Sequence, residues 1–298
     1  MNRREREVRS LATELLDDLG LSTPPIVPEW IAGEAELSVE ERSLSPGVFG
    51  ALWKKGNRFG IFVSDSCPTV GHQRFSVAHE LGHYHIDGHV EAMFLGEVEV
   101  VESSGGLFRK RHDRYEREAD WFASELLVPA NPFVSRIRSE QAGIELVRGL
   151  AREFETSLSM TAIRYAELTD RAAASILSRD GQIEWVALST RIREHDWSWG
   201  LQKRDMIPPR TATWSVVRAR TGFRRTPSAS DIGLVCEWFE GAPPALELEE
   251  DAITLGRFGR VLTSLDIPGL PDPEELATQS DDEEDADWRN TLRGYRMD

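Results

Sequence analysis

The sequence predicts an α+β fold, and three observations lead there. Helical periodicity dominates the first 170 residues and is broken by a single hairpin pattern; after Ala172 the alternation becomes two-residue; and 298 residues with 40% hydrophobic content exceed one typical domain. The expected organisation is a first module over residues 1–135, a helical, helix-turn-helix-like module over 136–170, a β-rich module over 171–267 and an acidic tail over 268–298.

The elements follow in order. Residues 5–19 place Val8, Leu11, Leu15, Leu16 and Leu19 on one side of a helix that Gly20 stops. Pro24, Pro25 and Pro28 form a stiff connector. Val48 to Trp53 and Phe59 to Val63 flank Lys55-Gly56-Asn57 as a β-hairpin whose second strand leads toward the next helix. A strand edge beside that helix could pair with an extended peptide through its backbone, or be an ordinary sheet strand. Phe75, Val77, Ala78 and Leu81 give the next segment a buried helical side. A further helix runs from Glu116 through Leu127 and stops at Val128-Pro129. Leu146 to Phe154 and Leu158 to Leu168 read as two short helices joined around Ser157. Strands are then expected at Ala173 to Leu177 and Ile183 to Leu188 around Asp180-Gly181, and near Trp214 to Val217, Leu234 to Phe239 and Gly259 to Leu262. Trp185, Trp197, Trp199 and Trp214 read as core or interface aromatics.

Chemistry concentrates in His79-Glu80-Leu81-Gly82-His83. Two imidazoles four residues apart stack one turn apart on a helix, so both reach one divalent ion, with the glutamate beside them. Metal-assisted peptide hydrolysis needs that geometry, a third protein ligand and an open position for water. Gly82 in mid-helix costs about 1 kcal/mol relative to Ala, a penalty that close approach of another backbone or a substrate would explain.

Two residues compete for the third ligand. His89 completes a longer spacing used by some zinc proteases, but Ile86 stands where that pattern turns at glycine. Glu116 lies one helical turn from Asp120, so it can ligate while Asp120 accepts the free ring N–H of a ligating histidine. Glu118 is the alternative if the register differs. Tyr84, Tyr115, His112 and Arg109 are candidate donors to the oxyanion of a tetrahedral intermediate, and nothing in the sequence chooses among them. The donor set favours zinc; manganese or iron also suits two histidines and a carboxylate.

Three segments in the same order resemble the ImmA/IrrE-type metallopeptidases. They are Arg74-Phe75-Ser76-Val77-Ala78-His79-Glu80-Leu81-Gly82-His83, the run from Glu116 and Ala119-Asp120 to Leu126-Leu127 and Pro129, and Pro24-Pro25-Ile26-Val27 leading to Ile31-Ala32. The resemblance covers roughly residues 5–135 and implies a zincin-like domain with His79, His83 and Glu116 as metal ligands, Glu80 as general base and Asp120 bonded to a ligand. It also implies a protein substrate, typically a helix-turn-helix repressor cut in a stress-response or mobile-element switch, and a C-terminal module similar to GAF sensors. Val128 replaces a frequent Met, and the stretch from Glu91 to His112 is long for the family.

Charge and composition exclude several classes. A net charge of −16 disfavours a broad phosphate-binding surface, and residues 136–171 balance six bases with six acids, so direct nucleic-acid binding is not expected despite Arg164 in the second of the paired helices. Residues 268–298 hold ten acids against three bases and read as a solvated tail, with Trp288, Leu292 and Tyr295 near its end. No stretch suits a membrane span or signal core, and Cys67 and Cys236 read as reduced packing residues, so a cytoplasmic location is expected. Two rival readings are a non-cleaving regulator, in which metal stabilises a module that binds protein or DNA, and a sensor whose C-terminal module gates the metal site.

Overall fold

The computed structural model describes residues 1–94, 100–103, 114–138, 142–219, 228–256 and 259–272. The tail beyond 272, with Trp288, Leu292 and Tyr295, and the candidates Arg109 and His112 lie outside the described residues. The chain divides into two compact units, Met1–Leu168 and Thr169–Asp298. Among the described residues no helix is long and apolar enough to cross a membrane, and both cysteines are free.

The first unit mixes helices with a four-stranded sheet. Helix α1 (Arg3–Asp18) is capped by Asn2, whose side chain accepts from the Glu5 N–H, and buries Val8, Ala12 and Leu16. Helix α2 (Pro28–Glu34) begins on Pro28, whose fixed φ suits a first turn. Strands β1 (Ser38–Arg42), β2 (Gly50–Lys55), β3 (Arg58–Ser64) and β4 (Val100–Ser103) are ordered β1-β3-β2-β4. The hairpin turns at Gly56-Asn57 as expected, but its second strand has no free edge. β3 is enclosed by parallel β1 and antiparallel β2, and β4 pairs antiparallel with the other side of β2, from Gly50 opposite Ser103 to Trp53 opposite Val100. Strand β1 escaped prediction because Glu40, Glu41 and Arg42 leave it almost wholly exposed and without an apolar alternation.

Helix α3 (Val70–His85) is capped by Thr69, whose hydroxyl accepts from the His72 N–H, and carries the His79–His83 motif. It packs on α5 (Arg114–Leu127), where Val77, Ala78, Leu81, Ala119, Phe122, Ala123 and Leu126 have no exposed surface. Gly82 is the contact point: a Cβ there would stand 3.1 Å from Ala119 Cα and 3.2 Å from its carbonyl oxygen. The glycine therefore answers to a neighbouring backbone. Chain direction changes after α3 at Gly88, whose φ of +83° suits glycine, and α4 (His89–Met93) follows.

Helices α6 (Ala130–Ile137), α7 (Ile144–Glu153) and α8 (Leu158–Leu168) complete this unit. Arg164 of α8 is 2% exposed. Its Nε donates to the Val128 carbonyl at 3.1 Å, its Nη1 to Glu167 at 3.1 Å, and its Nη2 to Glu125 of α5. Glu125 also accepts from the Ala130 N–H at 2.9 Å and lies 3.7 Å from Arg9 of α1. Four helices thus meet on one buried ion network, and the one base of α8 is spent inside it.

The second unit is built on an antiparallel sheet, β6-β5-β9-β8-β7 in spatial order, from β5 (Ala173–Arg179), β6 (Gln182–Leu188), β7 (Ser228–Leu234), β8 (Glu247–Leu255) and β9 (Arg260–Asp266). Two expected strands are helices instead: α10 (Ala212–Arg218) replaces that near Trp214 to Val217, and α11 (Val235–Trp238) that near Leu234 to Phe239; α9 (Thr190–Arg193) is a single turn. The cause at α10 is its cap, since the Thr211 hydroxyl accepts from the Trp214 N–H, while Glu250 accepts from both the N–H and the hydroxyl of Thr213 at 2.6 Å. Burial of Val216 then overrides the strand preference of the Val216-Val217 pair. Strand β8 was hidden by Glu250, which occupies a buried position between Leu248 and Ala252. Of the tryptophans, Trp185 is buried, Trp197 stacks on His195 and meets Phe239 edge-on, Trp214 is half-buried and Trp199 is 75% exposed.

Candidate metal centre

Helix periodicity puts His79 and His83 on one face of α3, and the packing of α5 on that face brings Glu116 to them. His79 Nε2 and His83 Nε2 lie 3.1 Å apart; Glu116 Oε2 is 3.5 Å from the first and Glu116 Oε1 3.4 Å from the second. Among the described residues these three form the group whose ligating atoms all lie within 4.8 Å of one another. A tetrahedral ion with bonds of about 2.0–2.2 Å spaces its ligand atoms about 3.3–3.6 Å apart, and the donors, at 3.1–3.5 Å, lie close to that spacing. The two histidines are 1% and 0% exposed, while the Glu116 side chain keeps 22% exposure.

Asp120 takes the other nitrogen of His79: the ring Nδ1 lies 3.0 Å from Asp120 Oδ1 and donates to it. Burial opposes the charge on His79, but hydrogen bonds to Asp120 and Glu116 and the charges of Asp120 and Glu80 outweigh it and push its pKa up to about 10. Burial likewise opposes ionisation of Glu116, and the hydrogen bonds from His79 and His83 overcome it, holding that carboxyl well below the usual range. For His83 burial prevails and its pKa falls. A partly buried acid between two imidazoles is therefore held ionised, which is the state a cation needs.

The remaining candidates are spread around this centre. His89 does not join Glu116. Its Nδ1 faces His83 Nδ1 at 3.0 Å, on the ring edge turned away from the three-donor cluster, and its Nε2 lies 3.3 Å from Glu118. Glu118 is thus directed to His89 and to Arg4 and Arg114. Tyr115 packs edge-on against His89 with ring centroids 4.8 Å apart, and Tyr84 against Phe59 at 5.5 Å. Glu80 is fully buried, next to Gly50 of β2. Sequence reading overlooked Gly50, Glu118's two arginines and the antiparallel cover that β4 gives β2; none has a local signal, since each depends on residues brought together by folding.

Residues 52–165 match the family Peptidase_M78, described as the IrrE N-terminal-like domain. This segment belongs to that family. Its IrrE N-terminal-like domain contains most of the hairpin, α3, α5 and the His79, His83 and Glu116 cluster. No curated protein gives a significant match. Among solved structures, the chain is similar to a Mycobacterium tuberculosis transcriptional regulator, at 14% identity and a TM-score of 0.57, over 90% of this chain and 77% of that one. At that identity the likeness concerns the fold, and it extends well beyond the IrrE N-terminal-like domain.

Proposed function

We propose that the IrrE N-terminal-like domain is a zincin-like metallo-endopeptidase that hydrolyses a peptide bond in a partner protein. The observation that carries this reading is the convergence of His79, His83 and Glu116 at donor spacings of 3.1–3.5 Å beside Glu80. Zinc suits two imidazoles and a carboxylate best, with manganese or iron as the other divalent candidates. When bound, the ion activates water and polarises the scissile carbonyl. Asp120 holds the His79 ring with Nε2 toward the cluster. Glu80 accepts the proton of the attacking water on its carboxylate and returns it to the leaving amine, so one group serves both halves of the reaction. To hold the ion, Glu116 would be ionised and the two imidazoles neutral, with Nε2 free to ligate.

The substrate we assign is a helix-turn-helix repressor protein, in a stress-response or mobile-element switch in the cytoplasm. This rests on the family and is compatible with the fold neighbour being a transcriptional regulator. Direct nucleic-acid binding by this chain is not part of the reading, because the Arg164 of α8 is buried against Glu125. The β-rich unit is assigned a sensor-like, GAF-similar role, supported by its five-stranded antiparallel sheet.

A second reading, a metal-stabilised regulator that does not cleave, is favoured by one observation: Glu80 has no exposed surface. Zinc-loaded wild type and Glu80→Gln, each incubated with the protein encoded by the adjacent gene, separate the two. The peptidase reading expects cleavage by wild type and none by the variant, with equal metal content. Cleavage that persists in the variant removes Glu80 as the base, and an intact partner with wild type supports the regulator.

A further inference from the structure

Each ring nitrogen of His83 meets a different partner. Nε2 lies 3.1 Å from His79 Nε2 and 3.4 Å from Glu116 Oε1, while Nδ1 lies 3.0 Å from His89 Nδ1. A neutral imidazole carries one hydrogen, so a histidine that holds a metal through Nε2 carries it on Nδ1. His83 is fully buried, and that hydrogen needs an acceptor within the protein. His89 Nδ1 can accept only if the hydrogen of His89 sits on Nε2, and there Glu118 Oε2 waits at 3.3 Å. The opposite polarity would turn a lone pair of His89 toward a carboxylate.

Glu118 cannot reverse this order. Its side chain is 1% exposed and receives Arg4 Nη2 and Arg114 Nε, each at 2.6 Å. With both guanidiniums donating to it, the Glu118 carboxylate serves as an acceptor. Hydrogens therefore run in one direction, His83 Nδ1–H to His89 and His89 Nε2–H to Glu118, and every nitrogen in the chain is accounted for.

We infer that His89, clamped by Glu118, Arg4 and Arg114, is the positioning residue that fixes the tautomer and ring orientation of His83 so that Nε2 faces the metal. The inference rests on the metal-peptidase reading above. It gives the two motif histidines unequal supports: His79 is held by a carboxylate directly, His83 by a carboxylate acting through a second imidazole. Arg4 brings α1, at the start of the chain, into the centre, and the spacing that made His89 a candidate ligand marks a residue that serves a ligand instead.

Zinc affinity of the full chain, measured by competition with a chromophoric chelator, tests it. His89→Asn keeps an oxygen near the position of Nδ1 and should bind zinc within about 3-fold of wild type, whereas His89→Ala and His89→Gln, which lose that acceptor, should weaken binding about 10–100-fold. In zinc-loaded wild type, nitrogen-15 histidine spectra should show His83 protonated on Nδ1 and His89 on Nε2. Equal zinc affinity across the variants, or a proton on His89 Nδ1, overturns the inference. The spectra decide even where a variant does not fold. Failure of wild type to bind zinc strikes the metal-peptidase reading itself.

Discussion

Glu80 occupies space that any side chain on Gly50 would claim: a Cβ built on Gly50 stands 2.6 Å from Glu80 Oε1 and 3.2 Å from its Cγ. The sheet and the motif helix are thus matched at one atom, and the proposed base is set by what β2 leaves out.

Gly50→Ala should displace the Glu80 carboxylate without unfolding the domain, because the clash falls on the tip of a flexible side chain. Zinc content should be unchanged and kcat should fall at least about 10-fold with KM little altered, as expected when a proton-transfer group is misplaced. Steady-state kinetics beside a metal assay check this; a normal kcat would show that Glu80 tolerates the shift.

Gly82→Ala meets backbone rather than a side-chain tip, at 3.1 Å from Ala119 Cα. Overpacking of this kind costs about 1–3 kcal/mol. Because α5 carries Glu116, pushing it from α3 should lower zinc affinity together with the urea midpoint. A variant that loses stability but binds zinc as wild type does would separate the helix contact from the donor cluster.

Arg164→Ala leaves Glu125 buried without its closest cation and should cost about 3–5 kcal/mol. Converting both partners, Arg164→Met with Glu125→Gln, should recover part of that loss, since no uncompensated charge remains. Chemical denaturation of the three proteins gives the comparison, and a mild Arg164→Ala effect would mean that Arg9, 3.7 Å from Glu125, takes over.

Asp266 of β9 carries a prediction for pH. Burial raises its pKa, partly countered by Arg171 at 3.7 Å, and its Oδ1 is buried with no hydrogen-bond partner among the described residues. A carboxyl whose folded pKa exceeds the unfolded value binds protons more readily when folded, so its contribution to stability falls as pH rises from the unfolded toward the folded pKa and is lowest above it. Asp266→Asn should therefore raise the thermal midpoint at pH 7 and remove the stabilisation that mild acid gives wild type. A lowered midpoint in the variant at pH 7 would show that the ion pair with Arg171 outweighs the burial.

Helical spacing made much of the candidate site readable. The four-residue separations His79–His83 and Glu116–Asp120 follow from 3.6 residues per turn, and the structure places Glu116 at the imidazoles and Asp120 on His79. Pro129 and Gly20 likewise mark where α5 and α1 give way, because ring closure and an absent Cβ act locally. Two-residue alternation misleads where a partner from elsewhere decides the outcome: Glu250 fills a core-facing position because Thr213 satisfies it, and Val216-Val217 turns helical beneath the Thr211 cap.

By itself, then, the sequence determined which side chains share a helical face, since that depends on a backbone repeat a few residues long. Only the tertiary structure decided that His89 meets the Nδ1 of His83 and that β4 covers β2. Those outcomes depend on how separate segments pack, and packing is settled by contacts across the fold rather than by neighbours along the chain.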